Sequence, residues 1–485
     1  MELDRDLLSI QQARNLMSRS KAAQGELAGY DQERIDRIVK RVCEACEAES
    51  ERLAKMAVEE TGFGVWQDKV LKNLLGSRVT YDYIEKMKTV GIIEKDPVKK
   101  IWHVATPMGI VVALVPSTNP TSTVMYKSLV CLKSGNSVIF SPHPNAKNCI
   151  LETVGIIRKA LKSEGVPEDA ICAVSMPTIE ATNVLMSHSS TGMILATGGP
   201  GMVKAAYSSG NPAIGVGSGN TPAFIERTAD IPAAIRRIFA SKCFDNGTIC
   251  ASEQSIVTEH CIREKVEDEA RRQGGHFLNE ADSAEIAKVL LKPNGSMNPA
   301  IVGRDAKTVA DLAGVKIPDG TRVLLSQHTE VGEYHPYSRE KLCPVLGFFV
   351  EDSWEAACER SIELLKNEGA GHTLSIHSED ESVIQEFALR KPVMRVVVNN
   401  GSALGAVGAT TGLAPALTLG CGTIGGSSTS DNVTPLNLIN VRRVAWGTKE
   451  IEELRGEPPI CSTAMPNDNR ALIEKIAKEV LKRLS

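Results

Sequence analysis

The residues of this chain best suited to chemistry gather around one sulfur. Cys250 stands in the run Phe244-Asp245-Asn246-Gly247-Thr248-Ile249-Cys250-Ala251-Ser252-Glu253-Gln254, where a helical segment from Ala233 to Phe244 gives way to an apolar strand from Gln254 to Val257. A thiol held at a glycine-containing break between regular elements is placed for nucleophilic attack, whereas a packing cysteine normally lies inside an element. The 12 cysteines are spread along the chain, and no basic region followed by an apolar stretch opens it, so reduced thiols are expected. Cys43 and Cys46 form a C-x-x-C in a Glu-rich helical segment with no second pair at zinc-ribbon spacing. They read as ordinary helix residues, and no metal site is expected. No G-x-x-x-x-G-K-[ST], H-E-x-x-H or G-x-S-x-G occurs.

The elements that must position the thiol alternate. Gly109 to Val115 is a continuous apolar run, as a strand buried on both faces should be, and a helix from Thr121 to Lys133 follows, ending at Gly135. Ser137 to Phe140, Ala170 to Ser175 and Gly192 to Thr197 read as further strands, interleaved with helices over Asn145 to Ser163, Ile179 to His188 and Met202 to Ser208. Strict alternation with short connections predicts a parallel, doubly wound sheet. A second αβ region begins near Ile231, with strands at Val345 to Val350 and Val393 to Val398 and helices at Ile262 to Arg272 and Trp354 to Lys366. The N-terminal segment from Leu7 to Met56 reads as helical and part of the body. The fold class expected is α/β with two Rossmann-like lobes.

Ligands of such sheets bind at the carboxyl ends of the strands. The loops there carry Ser117, Thr118 and Asn119, then Ser141, Pro142 and His143, then Thr197, Gly198 and Gly199. Their backbone amides, with helix starts behind them, suit a phosphate-bearing ligand. Gly215, Val216 and Gly217 open a glycine-rich stretch that approaches the dinucleotide fingerprint but has the wrong spacing and leads into another strand.

The 485 residues call for two or three compact units, and 42% apolar with 24% charged residues describes an ordinary globular protein. Fifty-five basic against 59 acidic side chains give a formal charge of -4, which argues against a nucleic-acid footprint. No run approaches the roughly 18 apolar residues of a membrane span. A cytoplasmic protein with neither a membrane nor a nucleic-acid partner is expected.

The Asp245-to-Gln254 run, the stretch Ser117-Thr118-Asn119-Pro120-Thr121-Ser122 and the Gly-Cys-Gly-Thr run from Gly420 to Thr423 resemble the CoA-acylating aldehyde dehydrogenases, a group that includes the acetaldehyde and propionaldehyde dehydrogenases of bacterial microcompartments. The resemblance runs from about Leu53 to Gly447. It implies an aldehyde dehydrogenase-like fold: a cofactor domain over 1–230, a catalytic domain over 231–430, and a small β oligomerisation element made of a hairpin near 90–103 and a strand within 431–450. A homodimer or a dimer of dimers follows. The implied chemistry has Cys250 attack a short-chain aldehyde, propanal or acetaldehyde, pass hydride to NAD, and yield the acyl group to the thiol of CoA.

By the same resemblance Asn119 is the oxyanion donor, Glu340 binds the nicotinamide ribose with Pro344 in its motif, and His372 accepts the CoA proton, work suited to a near-neutral histidine. Ser141 and His143 stand where relatives often carry a lysine and a glutamate, which leaves NADP open although NAD is favoured. Hydrolytic relatives place a water-activating glutamate in a stretch matched here by Ile214-Gly215-Val216-Gly217-Ser218, so Gly215 stands in its place, and no carboxylate occurs between Asn211 and Phe224. A thiol is easier to deprotonate than water by about 7 pKa units, roughly 10 kcal/mol, so a thiol acceptor can dispense with that base. The alternative, a hydrolytic enzyme releasing free acid, is disfavoured on this ground.

After Gly447 the chain changes character. A polar linker leads to Arg470 to Leu484, where Leu472, Ile473, Ile476, Val480, Leu481 and Leu484 make one apolar stripe opposite Lys475, Lys478, Glu479, Lys482 and Arg483. In this family such a segment, here 456–485, resembles an encapsulation peptide that docks cargo on a microcompartment shell protein.

Overall fold

The computed structural model describes residues 4–456 and 468–484. The chain divides into two units, residues 1–91 with 105–440 and residues 92–104 with 441–485. A hairpin comes first, β1 (Gly91–Asp96) and β2 (Ile101–Pro107). The five strands that follow are β3 (Ile110–Val115), β4 (Ser137–Pro142), β5 (Ile171–Ala173), β6 (Thr191–Thr197) and β7 (Ala213–Val216). They lie in the order β5-β4-β3-β6-β7, and every pairing is parallel.

The apolar run at β3 is central and buried throughout, as its composition demands. Helices cover both faces. On one, Ala13, Leu16 and Met17 of the helix Arg5–Leu27 pack with Val112, Leu114 and Leu185. On the other, the helices Gln32–Ala48, Pro120–Lys133 and Lys147–Ser163 enclose Val111, Ala113 and Phe140. Cys43 and Cys46 lie fully buried in that layer. Gly135, at φ 72°, stops the helix Pro120–Lys133, and the following amide of Asn136 turns back onto the Cys131 carbonyl at 2.8 Å.

The seven-stranded sheet holds β8 (Thr221–Ile225), β9 (Glu253–Glu259), β10 (Gly275–Phe277), β11 (Val323–Gln327), β12 (Val345–Glu351), β13 (Gly371–His377) and β14 (Val393–Val398). Its order is β10-β11-β12-β9-β8-β13-β14, again all parallel. The change of sheet falls between β7 and β8, so the segment 221–225 belongs with the second sheet although the expected boundary was residue 230. Chain length between the two strands explains this: only four residues, 217–220, separate them, too few for the crossover that two parallel neighbours in one sheet require.

In the smaller unit β15 (Ile439–Ala445) pairs beside β2, giving the order β1-β2-β15. Trp102 and Trp446 meet edge to face at 5.0 Å, and the Lys95 ammonium sits 4.4 Å from the Trp102 ring. The helix Asp468–Leu484 belongs to this unit, with Ile473, Ile476, Val480 and Leu481 exposed. Most of the linker expected before it, 457–467, lies outside the described residues, as do the side chains of Leu472 and Leu484. Among the described residues no helix is long and apolar enough to cross a membrane.

Candidate active site

A cavity of about 650 Å3 opens where the loops after β3, β4, β6 and β7 converge, and Cys250 lies in its wall. Thirteen of the residues expected at the site line it: Ser117, Thr118, Asn119, Ser141, Pro142, His143, Thr197, Gly198, Gly199, Val216, Gly217, Cys250 and Glu340. The Thr197 hydroxyl is buried there without a hydrogen-bond partner, a group that a ligand can satisfy. The Ser141 hydroxyl is engaged by Thr182 at 2.7 Å, and His143 accepts from the amide of Asn145 at 3.1 Å.

Three expected residues sit elsewhere. Pro344 is buried at the head of β12, where its carbonyl accepts from the Leu324 amide at 3.0 Å. Gly215 lies in β7 with its missing side chain aimed away from the cavity: a Cβ there would come 2.5 Å from Val203 Cγ1 and 2.8 Å from Tyr207 Cε2. Its neighbour Val216 is the residue of β7 that faces the cavity. Strand alternation makes these outcomes exclusive, so the apolar wall position is 216 and not 215.

His372 is fully buried on β13, behind the cavity wall, with Nε2 3.2 Å from Cys250 Sγ and Nδ1 2.9 Å from Thr373 Oγ1. Burial, with Arg395 adding to it, pushes its pKa down to about 3, far from the near-neutral value expected of it. Burial and the nearby Glu340 push the Cys250 thiol up to about 12. The side chain opposing that rise is Arg395, buried on β14 with its Nε unpaired. Gly219 permits the layer to close, because a Cβ there would lie 1.9 Å from the Cys250 carbonyl oxygen. Glu340 accepts from the Gly219 amide at 3.0 Å and is pushed up to about 8 by burial and by Glu368, so at neutral pH it is mainly a neutral carboxyl that can both donate and accept.

This arrangement supplies a nucleophile, a neutral imidazole against it, an amide at the mouth of a helix and a groove along parallel strand ends. A model of the aldehyde dehydrogenase family matches residues 7–335. The chain belongs to the aldehyde dehydrogenase family. It is similar to a probable aldehyde dehydrogenase from Listeria monocytogenes EGD-e, at 57% identity and a TM-score of 0.92, covering 93% of this chain and 100% of that one. An acetylating aldehyde dehydrogenase from Geobacillus thermoglucosidasius is 48% identical with a TM-score of 0.91, covering 93% and 99%. A propionaldehyde dehydrogenase from the Clostridium phytofermentans fucose utilisation bacterial microcompartment is 27% identical with a TM-score of 0.81, covering 90% and 98%. Among curated relatives, the bifunctional aldehyde-alcohol dehydrogenase of Escherichia coli K12 is 41% identical over 474 residues, 94% of this chain and 53% of that one. The chain thus spans about half the length of that relative.

Within the aldehyde dehydrogenase frame, sequence reasoning missed the charged groups behind the cavity. Asp245 is fully buried and binds Lys69 at 2.8 Å, Lys72, and the Val65 amide at 2.7 Å. Asp245 and the following Asn246 hold left-handed conformations, at φ 48° and 50°. The one sequence signal was the pair of lysines three apart in the helix Trp66–Leu74, which a reader takes for a solvated face.

Proposed function

We propose that this member of the family oxidises a short-chain aldehyde, propanal or acetaldehyde, to its CoA thioester with NAD as hydride acceptor. The observation that carries the reading is Cys250 in the wall of a ligand-sized cavity that Asn119 also lines, with the apolar Val216 and no carboxylate on its β7 side. Nicotinamide, when bound, accepts hydride from the carbon held on sulfur. The residues present suit such a dinucleotide: the helix starting at Pro120 and the unpaired Thr197 hydroxyl address the groove.

Cys250 adds to the aldehyde carbon as its proton passes across the 3.2 Å contact to His372 Nε2, and the oxygen that gains charge is met by the Asn119 amide. His372 receives the hydrogen bond of the thiol and keeps the sulfur aimed. Glu340 holds hydroxyl groups near the thiol. The acyl group then passes from Cys250 to the sulfur of CoA, the carbon–sulfur bond to Cys250 breaking as the new one forms and the CoA thiol proton returning to the Cys250 sulfur. The similarity to an acetylating aldehyde dehydrogenase supports this choice of acceptor. NADH formation from propanal, followed with and without CoA, tests it: release of free acid without CoA as fast as thioester with it would replace this reading with the hydrolytic one. Substituting NADP for NAD in the same assay tests the dinucleotide.

The reading extends to assembly. The three-stranded unit serves a homodimer or dimer of dimers, and the exposed stripe Ile473, Ile476, Val480 and Leu481 binds a microcompartment shell protein inside a bacterial cell. Likeness to an enzyme of a microcompartment supports this. A chain ending at Arg455 should keep its turnover and lose shell association; retained association would refute the targeting role.

A further inference from the structure

Asn119 occupies the N-cap of the helix Pro120–Lys133, a position where asparagine normally accepts a hydrogen bond from a first-turn amide, yet its side chain makes no capping bond. Its oxygen Oδ1 instead accepts from Lys72 Nζ at 2.7 Å. An ammonium only donates, so the amide must turn its oxygen toward Lys72 and present its N–H groups on the other side. The contact made there by Nδ2 is a long 3.3 Å approach to Thr118 Oγ1. Asn119 lines the same cavity as Cys250. Lys72 is itself almost wholly buried, and it also reaches Asp245, the Thr248 carbonyl at 3.2 Å and the Thr248 hydroxyl at 3.0 Å, two residues before the thiol.

We propose that Lys72 is a positioning residue of the acyl-transfer reaction: its ammonium fixes the Asn119 amide so that a donor, not an acceptor, meets the oxygen of the aldehyde adding to Cys250. An amide turned the other way would set oxygen against a developing alkoxide. This inference rests on the reading of Asn119 as the oxyanion donor.

The test compares the whole protein with Lys72→Met, Lys72→Arg, Asn119→Ala and the double variant Lys72→Met/Asn119→Ala, using propanal, NAD and CoA for turnover and iodoacetamide for the intrinsic reactivity of Cys250. Lys72→Met should lower kcat about 100-fold, the scale of losing one oxyanion donor. The aldehyde KM and the alkylation rate should stay within about threefold. Lys72→Arg, which can donate to the same oxygen, should recover most of the loss, and the double variant should be no slower than Asn119→Ala alone. If Lys72→Met does not fold, Lys72→Gln takes its place, with a smaller loss of kcat expected and full activity counting against the proposal.

A full loss repeated in the Asn119→Ala background would show that Lys72 acts elsewhere and overturn the proposal. Alkylation slowed in step with kcat would assign the effect to the turn before Cys250 and overturn it too. Unchanged kcat in Asn119→Ala would remove the oxyanion reading itself and the proposal with it, an outcome distinguishable from both others because Asn119→Ala leaves Lys72 intact.

Discussion

Installing a carboxylate on the β7 wall of the cavity, which has none, should divert the acyl group from CoA to water, and strand alternation decides between positions 215 and 216. Val216→Glu replaces the one side chain of β7 that faces the cavity, whereas Gly215→Glu drives its Cβ to 2.5 Å from Val203 and 2.8 Å from Tyr207, on the side away from Cys250. Gly215→Glu also threatens the bond from its amide to the Tyr207 hydroxyl at 2.8 Å. Such overpacking costs about 1–3 kcal/mol and brings no new chemistry to the thioester. Val216→Glu gives up the burial of one valine, about 1.5–3 kcal/mol, and gains a general base worth roughly 10²- to 10⁴-fold in the step it assists. The assay is free-acid release from propanal and NAD without CoA, divided by thioester formation with CoA. That ratio should rise by at least about 100-fold in Val216→Glu and stay near the parent value in Gly215→Glu. An unchanged ratio in a folded Val216→Glu, or an equal rise in Gly215→Glu, would refute the assignment of the wall to position 216.

Cys250→Ala should leave a folded, dinucleotide-binding protein without acyl transfer, and intact-mass spectrometry of protein quenched during turnover should find the acyl adduct in the parent and none in the variant. His377, buried on β13 with Nδ1 unpaired, is pushed down to about 4 by burial and by Arg237. The unfolded chain takes up this proton near pH 6.5 and the folded chain only near 4, so stability is lost as pH falls through that window, by about 1.4 kcal/mol per unit for one group. Urea unfolding of His377→Gln should show a shallower pH slope by that amount between pH 6 and 4, and identical slopes would exclude the burial effect. His372, pushed down to about 3, predicts that kcat/KM shows no limb of its own between about pH 5 and 8, read from turnover at saturating CoA.

What was legible follows from period. β3 is continuous and apolar because both of its faces are covered, and Cys250 stood out because a glycine-bearing break interrupts an otherwise regular pattern. β13 was not legible. Gly371-His372-Thr373-Leu374-Ser375-Ile376-His377 is buried at every position, yet four of its six side chains are polar, and the fold supplies distant partners: Cys250 for His372, and the Asn400 carbonyl at 3.3 Å for Ser375. The buried lysines escaped for the same reason. Lys69 and Lys72 resemble a solvated face until Asp245, more than 170 residues away in sequence, is brought against them. Val216 was expected at the site, but the absent base was matched to Gly215 by order along the chain, whereas the wall is set by which side of β7 each residue takes.

The charges around Cys250 bear on when its proton leaves. The sulfur lines the cavity among surroundings that oppose its ionisation, and His372 is held neutral by its burial, so the 3.2 Å contact joins a thiol to an imidazole and not a thiolate to an imidazolium. A weakly basic imidazole cannot store the proton ahead of substrate. The energetic case for proton loss arises only as the carbon–sulfur bond forms, when charge moves from sulfur to the aldehyde oxygen and meets a donor already fixed in place. Arg395, buried with an unpaired Nε, offsets part of the cost at the sulfur. On the proposed reading the remainder falls on the amide of Asn119, so its orientation by Lys72 has to be set before the aldehyde arrives: an amide free to turn would have to reorient as the charge develops.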